Sequence, residues 1–503
     1  MDIEKKKFQV HPVWFFLVLI VITVVLSALL SLFNFQGTQT DVSLGSSSTS
    51  VLTVKSLLSY EGIKYMFSES INNFLKFVPL GTLIVGLLGV GLMIKTGLLK
   101  SLFSKLNKII PRKTMFFIFS LLCIIMGFST DLSFVIMIPI AAILFTEYKR
   151  SQVVGMTMAF ASVAAGANIN IFVTSIDYSL IELAKSSVNM VDPNYTYGYS
   201  GNLFFVVISS LLLALLISIM TEIIARRKPV RIGSEEIELN EKLDKKAFKK
   251  ALIAFIIMFV LLVYAIIPKL PLSGALLDSS QSIYVNKLFG ANSPFVNGIL
   301  YITSLMFIIC SIIYGTVTKQ IKTGKDIIKY LSSSLNGLGE MILLIFVSSQ
   351  FISLFKYTNI GNVVTVNLFN MVAGIKPSFV ILILLSFVVV AISNIFVPSL
   401  STKWTLFVPK MIPLFMKSNI TPEFTGAIFR LASSVTNLIS PIYSYFVIFL
   451  GFIGLYSKSD FTIGKCYKMI FPYFVAILIL WLFIIFGWYV LKAPIGPNVF
   501  PTI

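Results

Sequence analysis

Apolar runs recur along this chain, separated by polar segments of alternating character. Runs fall at about 13–33, 75–95, 152–176, 203–224, 251–268, 296–318, 339–355, 424–452 and 471–491. Their lengths suit helices that cross a bilayer core, which takes roughly 20 residues. Two stretches, 114–146 and about 386–416, are too long for one crossing and too short for two, which need roughly 40 residues. The first reads "TMFFIFSLLCIIMGFSTDLSFVIMIPIAAILFT", with Ser129, Thr130 and Asp131 in its middle, and is bordered by Arg112-Lys113 and Lys149-Arg150. Basic borders at both ends imply entry and exit on one side, so the pattern predicts a re-entrant helical hairpin. Irregular backbone at membrane depth is tolerated only when buried in protein or lining a cavity, which makes the tip a site candidate.

Charge orients the spans. Segments 95–113, 225–250, 319–329 and 457–468 are basic, whereas 34–73, 177–202, 269–295 and 356–376 are poor in Lys and Arg. The positive-inside bias puts the N-terminus and the basic segments in the cytoplasm and the C-terminus outside. The chain has 503 residues, 57% hydrophobic and 12% charged, with a net charge of +19. Because the cations sit in short linkers, they read as topology signals rather than a nucleic-acid surface. Cys123, Cys310 and Cys466 form no pairing framework and no metal motif. His11 is interfacial, and Lys5-Lys6-Lys7 followed by the apolar run from Val13 reads as a retained first helix.

Two places in the halves correspond. "STDLSFV" at 129–135 matches "STKWTLF" at 401–407, and Ser162-Val163 matches Ser434-Val435, both at an offset of 272 residues. The second hairpin enters from the opposite face to the first. Two spans, a hairpin and two spans, repeated upside down, is an inverted-repeat transporter plan. The expected fold is an all-α integral membrane protein with nine transmembrane helices and two re-entrant hairpins. Its first repeat covers 1–224; a basic linker, linking span 251–268 and outer loop cover 225–295; the second repeat covers 296–503.

Polar residues gather near both tips. "ASVAAGANINIFVTSID" carries Asn168, Asn170, Thr174 and Asp177, and "FRLASSVTNLISP" carries Arg430, Ser433, Ser434, Thr436, Asn437 and Ser440. "AISNIFVPSLSTKW" brings Ser393, Asn394, Pro398, Lys403 and Trp404. A broken helix exposes backbone groups that hold Na⁺ or an anion, and Gly166 and Pro398 are the expected break points. Small and hydroxyl residues also serve helix packing, so Ser129, Thr130, Asn168, Asn170, Ser393, Ser434 and Thr436 are either ion ligands or packing groups. Arg430 is the expected receiver of a substrate carboxylate, which guanidinium binds bidentately, or else the partner of a buried acid such as Asp131. Asp131 is a Na⁺ or H⁺ coupling carboxylate or an ion-pair partner. Asp177 lies near the outer boundary, where a capping role is open. Trp404 stacks on an aromatic ligand or anchors the tip, and Lys403 and Lys410 are read as snorkelling.

With these residues in hand, the chain resembles the AbgT family, the p-aminobenzoyl-glutamate transporters. The resemblance rests on "NFLKFVPLGTLIVGLLGVGLMIKTGLL", "ANINIFVTSID", "SPFVNGILY", "SSQFISLFKYTNIGNVV", "SNIFVPSLSTKWTLFVPKMIPLF", "FRLASSVTNLISPIYSYF" and "APIGPN", in family order along the whole chain. It implies a homodimer of nine-helix, two-hairpin protomers in a bacterial inner membrane. The implied activity is ion-coupled transport of p-aminobenzoyl-glutamate, related folate catabolites or sulfonamide-type antimetabolites. The family's functional positions fall on Asp177, Asn394, Trp404, Pro422, Arg430 and Asn437. Where the family reads Arg-Ile-Gly-Asp-Ser, this chain has Arg430-Leu431-Ala432-Ser433-Ser434, and "MGFSTD" lacks the family's Asn at the first tip. An intramembrane acid is therefore missing at Ser433. No cofactor is expected beyond a coupling Na⁺ or H⁺. A Na⁺-coupled dicarboxylate or citrate carrier of similar plan is the alternative. An intramembrane enzyme would need a nucleophile–base pair, a metal cluster or converging acids, and no P-loop for primary transport is present.

Overall fold

The computed structural model describes residues 10–43, 46–172, 174–227, 241–290, 292–373, 378–457 and 462–503. Lys5-Lys6-Lys7, residues 228–240 of the basic linker and residues 458–461 lie outside them. Helix Pro12–Leu32 starts at the first apolar run, and His11 caps it, its Nδ1 accepting from the Val13 N–H at 3.3 Å. Trp14, Val18, Val21, Val25 and Leu32 of this helix are exposed, as are Ile253, Ile256, Val260 and Leu261 of helix Glu241–Ile266. Apolar faces of that size do not stay bare in water; acyl chains are their solvent. Seven of the described helices are long and apolar enough to cross a membrane, one of them Thr130–Glu147, the second leg of the first hairpin.

By contact density the chain forms two compact units, residues 1–77, 164–213 and 342–503 in one and 78–163 and 214–341 in the other. In the latter, helix Pro79–Lys95 packs on helix Pro294–Val317. Gly89 allows the approach: a Cβ there would lie 2.6 Å from Ser304 Oγ, whose hydroxyl donates to the Val85 carbonyl at 2.6 Å. At Gly97, with φ of 77°, the chain bends by 66° into helix Leu98–Ile109. The basic segment 95–113 is thus an amphipathic helix, not an open linker. Its Lys105 pairs with Asp244, which also accepts from Tyr314 OH at 2.7 Å, and Arg112 just beyond it pairs with Glu222 at 2.5 Å.

The first hairpin lies in the same unit. Its legs are Arg112–Met126 and Thr130–Glu147. Phe116 near the start of one leg stacks on Phe145 near the end of the other, rings 4.4 Å apart and 3° from parallel. Tyr148 OH donates to the Ile110 carbonyl at 3.1 Å. The two legs therefore share one base, as the basic borders predicted. A π-helical turn, Ser133–Met137, precedes Pro139; proline lacks the N–H and crowds the carbonyl four residues back, and a widened turn accommodates both.

The other unit holds a β-hairpin, Gln36–Ser43 with Ser46–Thr53, which the hydropathy pattern did not reveal. It also holds the second helix–break–helix, Phe379–Phe396 and Leu400–Lys417, interrupted at Val397–Ser399. Pro398 keeps Val397 out of the helical region (φ −130°, ψ 79°), and Ser399 restarts the helix by accepting from the Thr402 N–H at 3.4 Å. Two predicted spans, 152–176 and 424–452, are each a broken helix; the break at Gly166 was expected, whereas the second span is corrected. The first stops at Gly166 and resumes as Ser175–Val191, and the second divides into Pro422–Thr436 and Ser444–Ser457. Segment 356–376 likewise holds a helix, Ile360–Ala373. With the short helices Tyr60–Ser68, Ser70–Leu75 and Gly324–Ser334 set aside, one order recurs from Pro12 to Arg227 and from Pro294 to Leu491: single helix, divided helix, helix–break–helix, broken helix, single helix.

Candidate functional site

Breaks in helices leave main-chain groups without their usual partners, and in the unit that carries the second hairpin those groups are met by buried polar side chains. Helix Ser175–Val191 starts with a capping box: Asp177 Oδ2 accepts from the Thr174 N–H at 2.7 Å and the Thr174 hydroxyl at 3.0 Å. Its other oxygen, Oδ1, takes an N–H of the Arg430 guanidinium at 2.5 Å. Asp177 is thus both cap and counter-ion, and the partner foreseen for Arg430 in Asp131 is corrected to Asp177. Arg430 is 3% exposed, and its Nε is buried with no hydrogen-bond partner among the described residues. A void of about 10 Å³, bounded by Asp177, Tyr197, Tyr199, Asn202, Gly426 and Arg430, adjoins the pair. That is room for one water at most.

Pro422 is the first residue of helix Pro422–Thr436, and Tyr197 OH donates to its carbonyl at 3.4 Å. The next residue, Glu423, is 1% exposed; Tyr195 OH donates to its Oε2 at 2.7 Å, and its Oε1 has no partner among the described residues. Desolvation, then the Glu423 charge, pushes both the Tyr195 and Tyr197 hydroxyls above the ordinary phenol range, so they stay donors. Glu423 was not legible as a site residue because Thr421-Pro422-Glu423 reads as an ordinary helix start.

A second network ties three breaks together. Asn394, fully buried near the end of the first leg, donates from Nδ2 to Asn437 Oδ1 at 2.9 Å and to Thr436 Oγ1 at 3.0 Å. Asn437 in turn donates to the Ala164 carbonyl at 3.2 Å, one of the last carbonyls of helix Gln152–Gly166. Thr436 donates to the Ala391 carbonyl at 2.8 Å. Lys403, read as snorkelling, is instead 0% exposed: its ammonium donates to Asn394 Oδ1 and, at 3.5 Å, to the Val397 carbonyl. None of the ion pairs among the described residues includes Lys403. Lys410 binds Asn370 Oδ1. Trp404 is fully buried; its N–H donates to the Leu180 carbonyl at 2.8 Å and its ring packs 4.5 Å from Phe429. Of its two readings, anchoring the tip describes this conformation. Phe429 also lies under Lys403, 5.4 Å from its nitrogen, and precedes Arg430 in the chain.

The expected ion ligands divide. Ser434 is engaged on both sides, donating to the Leu431 carbonyl and accepting from Trp481 Nε1, each at 2.8 Å. Ser393 and Ser433 have buried hydroxyls without partners among the described residues. Asn168 and Asn170 are buried in the first break, where Asn170 Oδ1 accepts from the Phe172 N–H at 3.3 Å. Ser129, Thr130 and Asp131 belong to the other compact unit, at the first tip, with Thr130 and Asp131 half-buried. The Ser129 carbonyl accepts from the Ser133 hydroxyl at 2.9 Å.

Lipid-facing helices together with broken helices that bear buried charges are the architecture of a membrane carrier with a solute site inside the protein. The chain belongs to the family described as the "AbgT putative transporter family", matched over residues 4–503. It is 28% identical over 499 residues to the p-aminobenzoyl-glutamate transport protein of Escherichia coli (strain K12), covering 98% of this chain and 94% of that one. Among solved structures, it is similar to the YdaH transporter of Alcanivorax borkumensis (26% identity, TM-score 0.49, 97% of this chain and 100% of that one). It is also similar to MtrF of Neisseria gonorrhoeae, described as illuminating a class of antimetabolite efflux pumps (28% identity, TM-score 0.48, 98% of each chain).

Proposed function

We propose that this protein is an ion-coupled secondary carrier of p-aminobenzoyl-glutamate, or of related folate catabolites and antimetabolites, across a bacterial inner membrane. The substrate of the Escherichia coli relative supports this reading over a dicarboxylate carrier. In it the N-terminus is cytoplasmic, the C-terminus outside, the halves are inverted repeats, and the working form is a homodimer. The observation that carries the proposal is Arg430, buried with one donor on Asp177 and its Nε unspent. A glutamate-type substrate presents two carboxylates, and this unit offers two buried cations, Arg430 and Lys403. One carboxylate takes the open Nε and competes with Asp177 for the guanidinium; the other meets the Lys403 ammonium. Asp177 thus stands in for substrate when the site is empty, which keeps a buried guanidinium from being left unpaired. Coupling runs through Na⁺ or H⁺, with Asp131, Ser393 and the neutral Ser433 as the positions where that choice is made.

The test is uptake of radiolabelled p-aminobenzoyl-glutamate into proteoliposomes under separately imposed Na⁺ and H⁺ gradients. Concentrative uptake under one gradient supports the proposal and names the ion. Absence of flux under both, with folded protein in the vesicles, contradicts it.

A further inference from the structure

A larger space lies apart from the Arg430 site and shares no lining residue with it. It is a cavity of about 510 Å³ at the second break, walled by Val397, Pro398 and Ser399 of that break. The remaining wall comes from the junction of helices Gly339–Tyr357 and Ile360–Ala373 and from the start of helix Ser444–Ser457. Its volume falls within the about 300–1,000 Å³ typical of small-molecule sites. The wall is firm. Gly361 lets the helices close up, since a Cβ there would sit 2.9 Å from the Phe396 carbonyl oxygen. Asn359, at φ of 60°, is pinned by donating to the Thr53 carbonyl at 3.2 Å and accepting from Asn362 at 2.8 Å.

The chemistry of the lining is one-sided. Lys356 is its sole charged member, and no Asp or Glu lines the cavity. None of the ion pairs among the described residues includes Lys356. Two aromatic pairs face the space: Phe355 with Phe396, rings 6.4 Å apart and 18° from parallel, and Tyr443 with Tyr445, 5.4 Å apart at 61°. Three helices begin at its wall, after Asn359, Ser399 and Tyr443, and their N-terminal dipoles add to the positive field. One cation, amide and hydroxyl donors and two aromatic walls suit an aromatic ring that bears a carboxylate.

We propose that this cavity is a second binding station for aromatic carboxylate anions, with Lys356 pairing the carboxylate and the Phe355–Phe396 and Tyr443–Tyr445 pairs flanking the ring. The station connects to the inner network through Val397, which lines the cavity and whose carbonyl accepts from Lys403. It therefore serves as an antechamber whose occupancy is felt at the Lys403–Asn394 contact. Its ligand class rests on the carrier proposal; its existence as an anion site does not.

The experiment is equilibrium binding of radiolabelled p-aminobenzoyl-glutamate and of p-aminobenzoate to the full chain in nanodiscs, read as stoichiometry and affinity. The expected result is two sites per chain in the wild type, one in Lys356→Gln, and two in Lys356→Arg. The lost site should weaken by at least about tenfold, the worth of one charge-assisted hydrogen bond. Lys356 is exposed, so its replacement leaves folding intact; Tyr443→Leu, which removes one ring of the wall, should weaken the same site. Unchanged stoichiometry in both Lys356→Gln and Tyr443→Leu overturns this inference while leaving the Arg430 site standing. No saturable binding of either probe to the wild type overturns this inference and the substrate assignment together.

Discussion

The two helix–break–helix elements share a plan and differ in what their tips do with polar groups. At the first tip, Thr130 and Asp131 are half-buried, the legs close on a stacked phenylalanine pair, and the strain of Pro139 is absorbed by a π turn. At the second, Asn394 and Lys403 are fully buried and bonded to each other, and through Asn437 to a third break. A tip whose polar groups are satisfied by neighbours from other elements is held by them. A half-buried acid is reachable by water and by an ion. The difference teaches that a polar residue interrupting an apolar run marks a break without saying whether the break is a joint of the binding site or an access point.

The largest effect expected from breaking this contrast is at Lys403. Replacing it with Met removes an ammonium that has no carboxylate beside it among the described residues, and desolvating such a charge costs more than the two hydrogen bonds it makes. Lys403→Met should hold or raise the melting temperature in detergent while uptake falls by about a hundredfold, the worth of a strong charge-assisted contact to substrate. A large fall in melting temperature with uptake intact would make Lys403 a structural residue.

Asp177→Asn comes next. Asn can still cap the helix, but Arg430 is left as a buried unpaired cation, at about 3–5 kcal/mol. Thermal unfolding should show that loss, and saturating p-aminobenzoyl-glutamate should restore part of it if the substrate carboxylate replaces Asp177. A ligand that stabilises wild type and variant equally would break the competition argument. Trp404→Phe keeps the ring on Phe429 and forfeits one bond to the Leu180 carbonyl, so stability should fall by about 1–3 kcal/mol with binding affinity little changed. The smallest stability effect belongs to the first tip: Asp131→Asn keeps the size of a half-buried side chain and its capacity to hydrogen-bond, and should change the unfolding free energy by about 0.5 kcal/mol or less. Its ion dependence of uptake should shift instead. A strong destabilisation by Asp131→Asn would erase the distinction between the tips.

Much of the architecture was legible because bilayer thickness sets span length and basic linkers set borders. The first hairpin follows from those two facts. Hydropathy fails where a span is split. Residues 152–176 and 424–452 each form one apolar run because Asn168, Asn170 and Asn437 interrupt them without lowering the window average, and of the two breaks only the one at Gly166 was expected. The β-hairpin at 36–53 is rich in Ser and Thr and carries no apolar alternation. In the site, Arg430, Asp177, Asn394 and Asn437 stood out as polar residues in apolar runs, and the structure joins them in two pairs. Lys403 was noticed in the second hairpin but read as snorkelling, and Glu423 was missed because an acid in a helix's first turn has an ordinary explanation. Only tertiary contacts show that both are buried.

The most direct test of the account is uptake by Arg430→Ala beside Arg430→Lys in proteoliposomes, at equal amounts of folded protein and under whichever gradient drives the wild type. If Arg430 receives the substrate carboxylate, Arg430→Ala should lose at least about a hundredfold in uptake. Arg430→Lys should recover only a small part, because a point charge does not reproduce the guanidinium fork. Uptake by Arg430→Ala at the wild-type rate would contradict the account and leave the Asp177–Arg430 pair a purely structural one.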